Sequence, residues 1–184
     1  MKDFVVLEGL SGTGKSTVAK LLSKKLGAVL FKTPGRVFIG AQKLIEGKVS
    51  NDARFLFFVA GLIQSSSEIS RIIKTRPVVC DRYVLTTVLN HQAMGVSVEK
   101  LFPGSLLNEV LVNPDYTLLI TCPEKIRLKR MGERGLSAID EAEEKGKINA
   151  KILREYKKLH LPEIDNSGDD PNTAVDQILS VIGL

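Results

Sequence analysis

Short apolar runs alternate with longer stretches of helical periodicity along most of this chain. Five runs are predicted as strands: FVVLE, AVLFK, PVVCD, YTLLIT and LPEID, at residues 4–8, 28–32, 77–81, 116–121 and 161–165. The first, third and fourth are the continuous apolar kind that is typical of strands buried on both faces. Because helical stretches separate the runs, the pattern predicts an α/β fold with a parallel sheet covered by helices on both faces.

The helices are predicted from apolar stripes with helical spacing. Residues 15–26 place Val18, Leu21, Leu22 and Leu26 on one face, and Gly27 is a common helix stop. The further predicted helices are 52–75, capped by Asn51 or Asp52; segments within 84–112, interrupted near Gly95 and at 103–104; 123–134, with Pro123 first; 137–160; and 173–182. No internal repeat or low-complexity segment divides these elements, so we predict one domain over residues 1–184.

The first predicted strand runs directly into a glycine-rich loop. Residues 9–16, GLSGTGKS, match the pattern G-x-x-x-x-G-K-[ST], whose backbone N–H groups surround phosphates. A strand before the loop and a helix after it are the context that this interpretation requires. We expect Lys15 on the transferred phosphate and Ser16 on Mg²⁺. The predicted nucleotide-binding residues are Gly9, Leu10, Ser11, Gly12, Thr13, Gly14, Lys15, Ser16 and Thr17.

A carboxylate and an arginine stand at the end of the third predicted strand, in VVCDRY. Ligands of parallel sheets bind at the carboxyl ends of the strands, so Asp81 should point into the site, where it can hold Mg²⁺ through water. Arg82 adds a rigid cationic fork that suits a second phosphate. Taken alone, the two residues are also compatible with an ion pair at a strand end, but the nearby phosphate loop favours the functional interpretation.

Three arginines are spaced for one face of a predicted helix. Arg127, Arg130 and Arg134 lie at i, i+3 and i+7. Such a face is either solvated or supplies cations that close over phosphates and stabilise charge in the transition state. Glycines on both sides of Arg134 indicate a mobile lid, at about residues 131–145. Together with the loop lysine and the Asp–Arg pair, these arginines indicate phosphoryl transfer between two phosphate-bearing partners.

Composition limits the other functions that this chain could have. Its 184 residues, 43% hydrophobic, suffice for one domain with its own core. The net charge of +5 suits a polyphosphate ligand, but without a long basic run or any Trp we expect no nucleic-acid partner. No apolar run reaches the ~18 residues of a membrane span, so we expect no membrane partner and a cytoplasmic location. Cys80 and Cys122 both end apolar runs and are predicted to be buried thiols on neighbouring strands.

These motifs resemble those of the thymidylate kinase family, the P-loop nucleoside monophosphate kinases that phosphorylate dTMP with ATP. EGLSGTGKST is similar to the family's E-G-x-x-x-x-G-K-[ST]-T, PGRVFIG to P-G-G-T-x-I-G, and CDRYVLTT to D-R-Y-x-x-S-S. NPDYTLLITCPEKIRLKR, ERG…ID and LREYKKL extend the likeness almost end to end. The resemblance implies a three-layer P-loop NTPase fold with five parallel strands in the order 2-3-1-4-5. It also implies ATP as donor, Mg²⁺ as cofactor, a nucleoside monophosphate as acceptor, with dTMP the first choice, and a homodimer.

The resemblance further implies roles for individual side chains. Arg82 and Lys32 would contact the acceptor phosphate, and Tyr83 would lie near the sugar. Phe58 would stack on the acceptor base, although a core position is an equally good interpretation in this Phe-rich helix. The lid would supply Arg130 and Arg134 as catalytic arginines, because the P-loop lacks the arginine that some members carry there.

Three positions depart from the family pattern where it contacts the nucleoside. Ser11 occupies the place of an Asp or Glu that binds the sugar 3′-hydroxyl, and Leu62 replaces an Arg that reaches the thymine base. In LNHQ, Asn90 stands where the family has Tyr, and His91 or Gln92 stands for its Gln. The catalytic motifs are therefore kept, while the base and sugar pocket is altered.

Two alternatives follow from the same residues. A nucleoside kinase, or a kinase of another small acceptor, needs a general base for a neutral hydroxyl, and Glu8 before the P-loop is the candidate. In a monophosphate kinase Glu8 would instead be a strand-end or magnesium-shell carboxylate beside the substrate. A nucleotide-binding switch is the second alternative, but the chain has no N-K-x-D guanine motif, and a passive binder has no use for the arginine cluster.

Overall fold

A sheet of five strands with helices on both faces forms the centre of the protein. The computed structural model describes residues 4–135 and 148–184. In that part of the chain the strands are β1 Phe4–Glu8, β2 Val29–Lys32, β3 Val78–Asp81, β4 Tyr116–Thr121 and β5 Glu163–Asp165. The helices are α1 Lys15–Leu26, α2 Arg36–Ile45, α3 Asn51–Ile72, α4 Val84–Ala93, α5 Val98–Leu101, α6 Gly104–Val110, α7 Glu124–Arg134, α8 Ile148–Lys158 and α9 Asn172–Val181.

All strand pairs in the sheet are parallel, in the order β2-β3-β1-β4-β5. The α/β class and the strand order predicted from the sequence are confirmed. The register places Leu7 opposite both Asp81 and Leu118, and Lys32 opposite Asp81. Because the strands are parallel, their carboxyl ends meet at one edge, where the P-loop, Lys32 and Asp81 come together.

The two faces of β1 belong to different parts of the core. Val5 and Leu7 pack with α1 and α9, whereas Phe4 and Val6 pack with α3 and with the segment from α5 to Leu111. A third cluster joins Leu119 of β4 to α4 and α8. The continuous apolar runs in the sequence are explained by this burial on both faces.

Some local predictions differ from the structure. Helix α2, which follows directly on the turn at 33–35, was not predicted, and none of its residues is buried. The N-cap of α3 is Ser50, whose Oγ accepts from the backbone N–H of Ala53 at 3.2 Å, one residue before the predicted cap. Pro123 is the N-cap of α7 and not its first helical residue.

The two cysteines are not on neighbouring strands. Cys80 lies in β3 and is buried, while Cys122 follows β4 and is only partly buried, and β1 separates the two strands.

Of the predicted lid, residues 136–145 lie outside the described residues, as do residues 137–147 of the predicted helix 137–160. In the part that the structure describes, no helix has the length and apolar character needed to cross a membrane.

Candidate active site

The P-loop joins β1 to α1 and is held in shape by its glycines. Gly14 has φ +87°, and a Cβ at this position would collide with the Nδ2 atom of Asn166. The carbonyl of Gly14 accepts from the N–H groups of Thr17 and Val18 and so begins α1. Lys15 is buried, and its Nζ donates to the Leu10 carbonyl at 2.5 Å and to Thr13 Oγ1 at 3.3 Å.

Two side chains outside the motif support this loop. Asn166 follows β5, is 5% exposed, and donates from Nδ2 to the Thr13 carbonyl at 2.8 Å. Arg127 is 3% exposed and donates to the Ser11 carbonyl at 3.4 Å. Asn166 was not among the residues predicted from the sequence, although its place after a parallel strand was a usable signal. Arg127 therefore supports the loop, whereas Arg130 and Arg134 line the space above it.

Asp81 and Ser16 face each other at the end of β3. Ser16 Oγ donates to Asp81 Oδ2 at 2.5 Å, and Lys32 Nζ lies 3.9 Å from the same oxygen. Asp81 is 3% exposed, and its buried Oδ1 has no hydrogen-bond partner among the described residues. A buried carboxylate oxygen without a donor, next to the P-loop hydroxyl, is a suitable ligand for a hard cation. Ser16 and Asp81 therefore fit the predicted Mg²⁺ site.

Arg82 extends from the end of β3 across the P-loop. It adopts φ +71°, and its backbone N–H donates to the Leu7 carbonyl at 3.0 Å. Its guanidinium donates to the Gly9 carbonyl at 3.3 Å and to Ser11 Oγ at 3.2 Å. The left-handed backbone is rare for a residue with a side chain, and it turns Arg82 towards the loop instead of along the strand.

Two chambers open at this edge of the sheet and meet at a cationic junction. The first chamber, of about 760 Å³, lies over the P-loop and reaches α7 and the loop after β5. The second chamber, of about 430 Å³, lies between α2, α3 and α4. Four residues line both chambers and define the junction: Ser11, Lys32, Arg82 and Arg134. Three of the four are cations, so two phosphate-bearing ligands can meet where their negative charge is best stabilised.

The first chamber has an arginine fixed on its far wall. Arg130 donates from Nη1 to the Asn166 carbonyl at 2.8 Å and from Nη2 to the Gly168 carbonyl at 3.0 Å. These bonds hold its planar group beside the loop after β5. Of the two predicted catalytic arginines, Arg134 lies at the junction, while Arg130 lines only the first chamber.

The second chamber has an aromatic wall and polar groups. Phe58 lines it and packs against His91, with ring centroids 5.5 Å apart. The guanidinium carbon of Arg54 lies 5.2 Å from the centre of the Phe58 ring. Asn90 also lines this chamber, together with Gln42 of α2. The second chamber therefore offers a flat apolar surface and hydrogen-bonding groups, as a nucleobase requires.

Comparison with known proteins agrees with this geometry. A family model described as thymidylate kinase matches residues 7–168. The chain belongs to the thymidylate kinase family. Members are ATP-dependent phosphotransferases, and this chain is accordingly a nucleoside monophosphate kinase that uses ATP as its donor.

Individual relatives cover nearly the whole chain. Probable thymidylate kinases of Methanococcus vannielii and Thermococcus kodakarensis are each 30% identical to it. The matches cover 86% of this chain and 78% of the first relative, and 97% of this chain and 96% of the second. Solved structures of thymidylate kinases from Candida albicans and Ehrlichia chaffeensis have TM-scores of 0.74 and 0.72 at 24% and 20% identity. These two alignments cover 98% and 100% of this chain, and 91% and 99% of the solved chains, and they support the fold.

Four residues at positions that the family pattern places near the nucleoside lie elsewhere in this structure. Tyr83 is buried against Phe4, with ring centroids 5.3 Å apart, and its hydroxyl donates to the Val112 carbonyl. Burial raises the pKa of Tyr83 to about 12, which is consistent with a core position. Leu62 is 1% exposed and belongs to the same core cluster. Of the pair His91 and Gln92, His91 is buried and Gln92 is exposed, and neither is among the residues that line the second chamber.

Glu8 also lies outside both chambers. It is fully buried, and its Oε1 accepts from the backbone N–H groups of Tyr83 at 3.0 Å and Thr86 at 3.3 Å. Its Oε2 accepts from Thr86 Oγ1 at 2.5 Å and from the Tyr156 hydroxyl at 3.1 Å. The carboxylate therefore caps the first turn of α4 and ties it to β1 and α8. With four donors around it, Glu8 has no geometry for taking a proton from a substrate.

His91 gives the folded protein a specific pH dependence. Burial lowers the pKa of His91 from 6.5 to about 4, and its Nδ1 bonds the Thr87 carbonyl at 2.7 Å. The unfolded chain therefore binds a proton below pH 6.5 that the folded protein does not take up until about pH 4. As the pH falls from 7 to 5, we expect protonation of His91 in the unfolded chain to lower the free energy of unfolding by about 2 kcal/mol. Urea unfolding at both pH values should show a correspondingly smaller loss in His91→Gln, and equal losses in the two proteins would contradict the assignment.

Proposed function

We propose that this kinase transfers the γ-phosphoryl group of ATP to the 5′-phosphate of dTMP, giving dTDP and ADP. The observation that carries the proposal is the junction, where Lys32, Arg82 and Arg134 line both chambers. ATP would occupy the first chamber with its phosphates in the P-loop. The monophosphate would occupy the second chamber with its base against Phe58.

The chemistry in this arrangement is positioning and charge stabilisation. The acceptor phosphate is already an anionic nucleophile, so the reaction needs no strong general base. Lys15 and the P-loop N–H groups would bind the donor phosphates. Arg82, Lys32 and Arg134 would hold the acceptor phosphate in line and stabilise the charge that spreads over the transferred group. The hydrogen bonds of Glu8 argue against the alternative of a nucleoside kinase with Glu8 as its base.

We propose Mg²⁺ as the cofactor, held through Ser16 and Asp81. The unpartnered buried Oδ1 of Asp81 supports this assignment. Among the described residues no group of three or more His, Cys, Asp or Glu side chains is placed to hold a metal. A site with one carboxylate suits Mg²⁺, which is usually bound by one or two carboxylates together with substrate phosphates. When bound, the ion neutralises charge on the β- and γ-phosphate oxygens.

A panel of acceptors tests the proposed function. ADP release would be measured with ATP alone, with each common nucleoside monophosphate and with thymidine, and products would be identified by chromatography. We expect dTMP to give the largest stimulation and dTDP as product, with little ADP formed from ATP alone. Stimulation by no monophosphate would favour a nucleotide-binding switch, and stimulation by thymidine alone would favour a nucleoside kinase.

We propose that two copies associate through α2 and α3. The supporting observation is a set of exposed apolar side chains on these two neighbouring helices: Val37, Leu44, Leu56 and Ile63. The mass in solution, by light scattering, would be twice the 20.2 kDa of one chain.

We further propose that the protein acts in the cytoplasm, where ATP is available, and that it has no nucleic-acid partner.

A further inference from the structure

Arg54 is a largely buried cation in the wall of the second chamber. Its side chain is 13% exposed, and Nη2 lies 3.4 Å from Glu46 Oε1. Its Nη1 donates to the sulfur of Met94 at 3.4 Å. A guanidinium has five N–H donors, and a thioether is a weak acceptor. Within residues 4–135 and 148–184, Glu46 is its one carboxylate partner, so Arg54 can still donate to a ligand in the chamber.

The position of Arg54 is fixed from two sides. The Phe58 ring, one helical turn further along α3, lies beneath the guanidinium at 5.2 Å. Glu46, the C-cap residue after α2, accepts from Gln42 Nε2 at 3.4 Å through Oε2 while its Oε1 lies against Arg54. A ring on one side and an anchored carboxylate on the other restrict the rotamers of Arg54, and a fixed donor discriminates better between ligands.

Arg54 also lies apart from the other cations of the site. Lys32, Arg82 and Arg134 line both chambers, whereas Arg54 lines the second chamber only. It is therefore removed from the place where the phosphates meet and lies beside Phe58, the surface available to a base. A cation in this position is placed to meet the nucleoside end of an acceptor bound in the second chamber.

We propose that Arg54 recognises the base of the acceptor nucleotide by donating to a pyrimidine carbonyl at C4. This inference rests on the proposed function and names the feature of the substrate that the second chamber selects. A guanidinium can only donate, so it pairs with the C4 carbonyl of uracil or thymine. The C4 amino group of cytosine would place donors against donors in a desolvated site and leave both unpaired.

A pair of closely matched substrates, compared in the wild type and in Arg54 variants, tests this contact. The monophosphates dUMP and dCMP share sugar, phosphate and ring size, and differ in the C4 substituent and the protonation of N3. Steady-state kinetics would be measured for both acceptors with the wild type, Arg54→Gln and Arg54→Lys. Arg71→Gln removes the same charge from an exposed position in the last turn of α3 and serves as the control.

The wild type should prefer dUMP over dCMP by at least about 100-fold in kcat/KM. Arg54→Gln should raise KM for dUMP by about tenfold or more and reduce the preference by at least about tenfold. Its kcat at saturating dUMP and its KM for ATP should stay near the wild-type values, since Arg54 does not line the first chamber. Arg54→Lys keeps a charge and should retain part of the preference, and it provides the test if the glutamine variant does not fold.

The outcomes separate this inference from the proposed function. An active wild type that does not prefer dUMP overturns the role of Arg54 and leaves the kinase assignment intact. An unchanged preference for dUMP over dCMP in Arg54→Gln also overturns the role of Arg54 and leaves the kinase assignment intact. If Arg54→Gln does not fold, the same result in Arg54→Lys has this meaning. A wild type that phosphorylates none of the monophosphates overturns both. Loss of preference in Arg54→Gln but not in Arg71→Gln supports the inference.

Discussion

Replacing Arg82 by alanine is expected to lower kcat by at least ~10²-fold while the protein stays folded. The guanidinium lies at the junction of the two chambers and bonds the P-loop through Gly9 and Ser11. In the proposed reaction, its removal would take a fixed positive charge from the place where the transferred group carries most negative charge. The fold should persist, because alanine has the same Cβ as arginine and adds no new strain at φ +71°.

Kinetics and thermal unfolding together check this expectation. Arg76→Ala is a matched control, because Arg76 is exposed and lies just before β3. We expect the control to keep kcat within about twofold of wild type, as is usual for surface changes of small energy. Near-normal turnover in Arg82→Ala would rule out a catalytic role for Arg82. A lower unfolding temperature with proportionate loss of activity would assign it a structural role.

Replacing Glu8 by alanine should lower the free energy of unfolding by about 3–5 kcal/mol. Four donors on Tyr83, Thr86 and Tyr156 would lose their acceptor, and the first turn of α4 would lose its cap. Glu8→Gln keeps one carbonyl oxygen for the two backbone N–H groups, and both hydroxyls can turn to accept from its amide. We expect it to lose about 1 kcal/mol and to keep most of the turnover.

Urea unfolding measures the loss of stability in Glu8→Ala, with Glu163→Ala, which removes an exposed carboxylate of β5, as the control. Enzyme assays measure the turnover that Glu8→Gln retains. A glutamine variant that is folded but inactive would restore Glu8 as a general base and with it the nucleoside kinase interpretation. A stable alanine variant would show that the four hydrogen bonds contribute little to folding.

Sequence alone predicted the strands and the phosphate end of the site because both depend on local signals. Five apolar runs separated by helical stretches determine a parallel sheet, and such sheets bind ligands at the carboxyl ends of their strands. Asp81 ends a predicted strand and Arg82 follows it, while Lys15 and Ser16 begin the helix after the first strand. Their positions therefore follow from chain order, and the structure brings all four to one edge.

The nucleoside end of the site was predicted less well, since it depends on which face of a helix points inward. Phe58 and Leu62 are one turn apart on α3, yet only Phe58 lines the second chamber, while Leu62 is in the core. Arg54 is one turn before Phe58, and its i, i+4 spacing was a signal that could have been used. Family patterns assign residues by position along the chain, and a small rotation of the helix changes which of them faces the ligand.

By itself the sequence determined the α/β class, the phosphate loop and the chemistry of phosphoryl transfer, because short-range patterns encode them. The tertiary structure decided the rest: that Glu8 caps a helix, that Tyr83 lies in the core, that Asn166 supports the P-loop, and that Arg54 lines the second chamber. These four depend on contacts between residues far apart in the chain. The side-chain burial and hydrogen bonds that define such contacts arise only when the helices pack on the sheet.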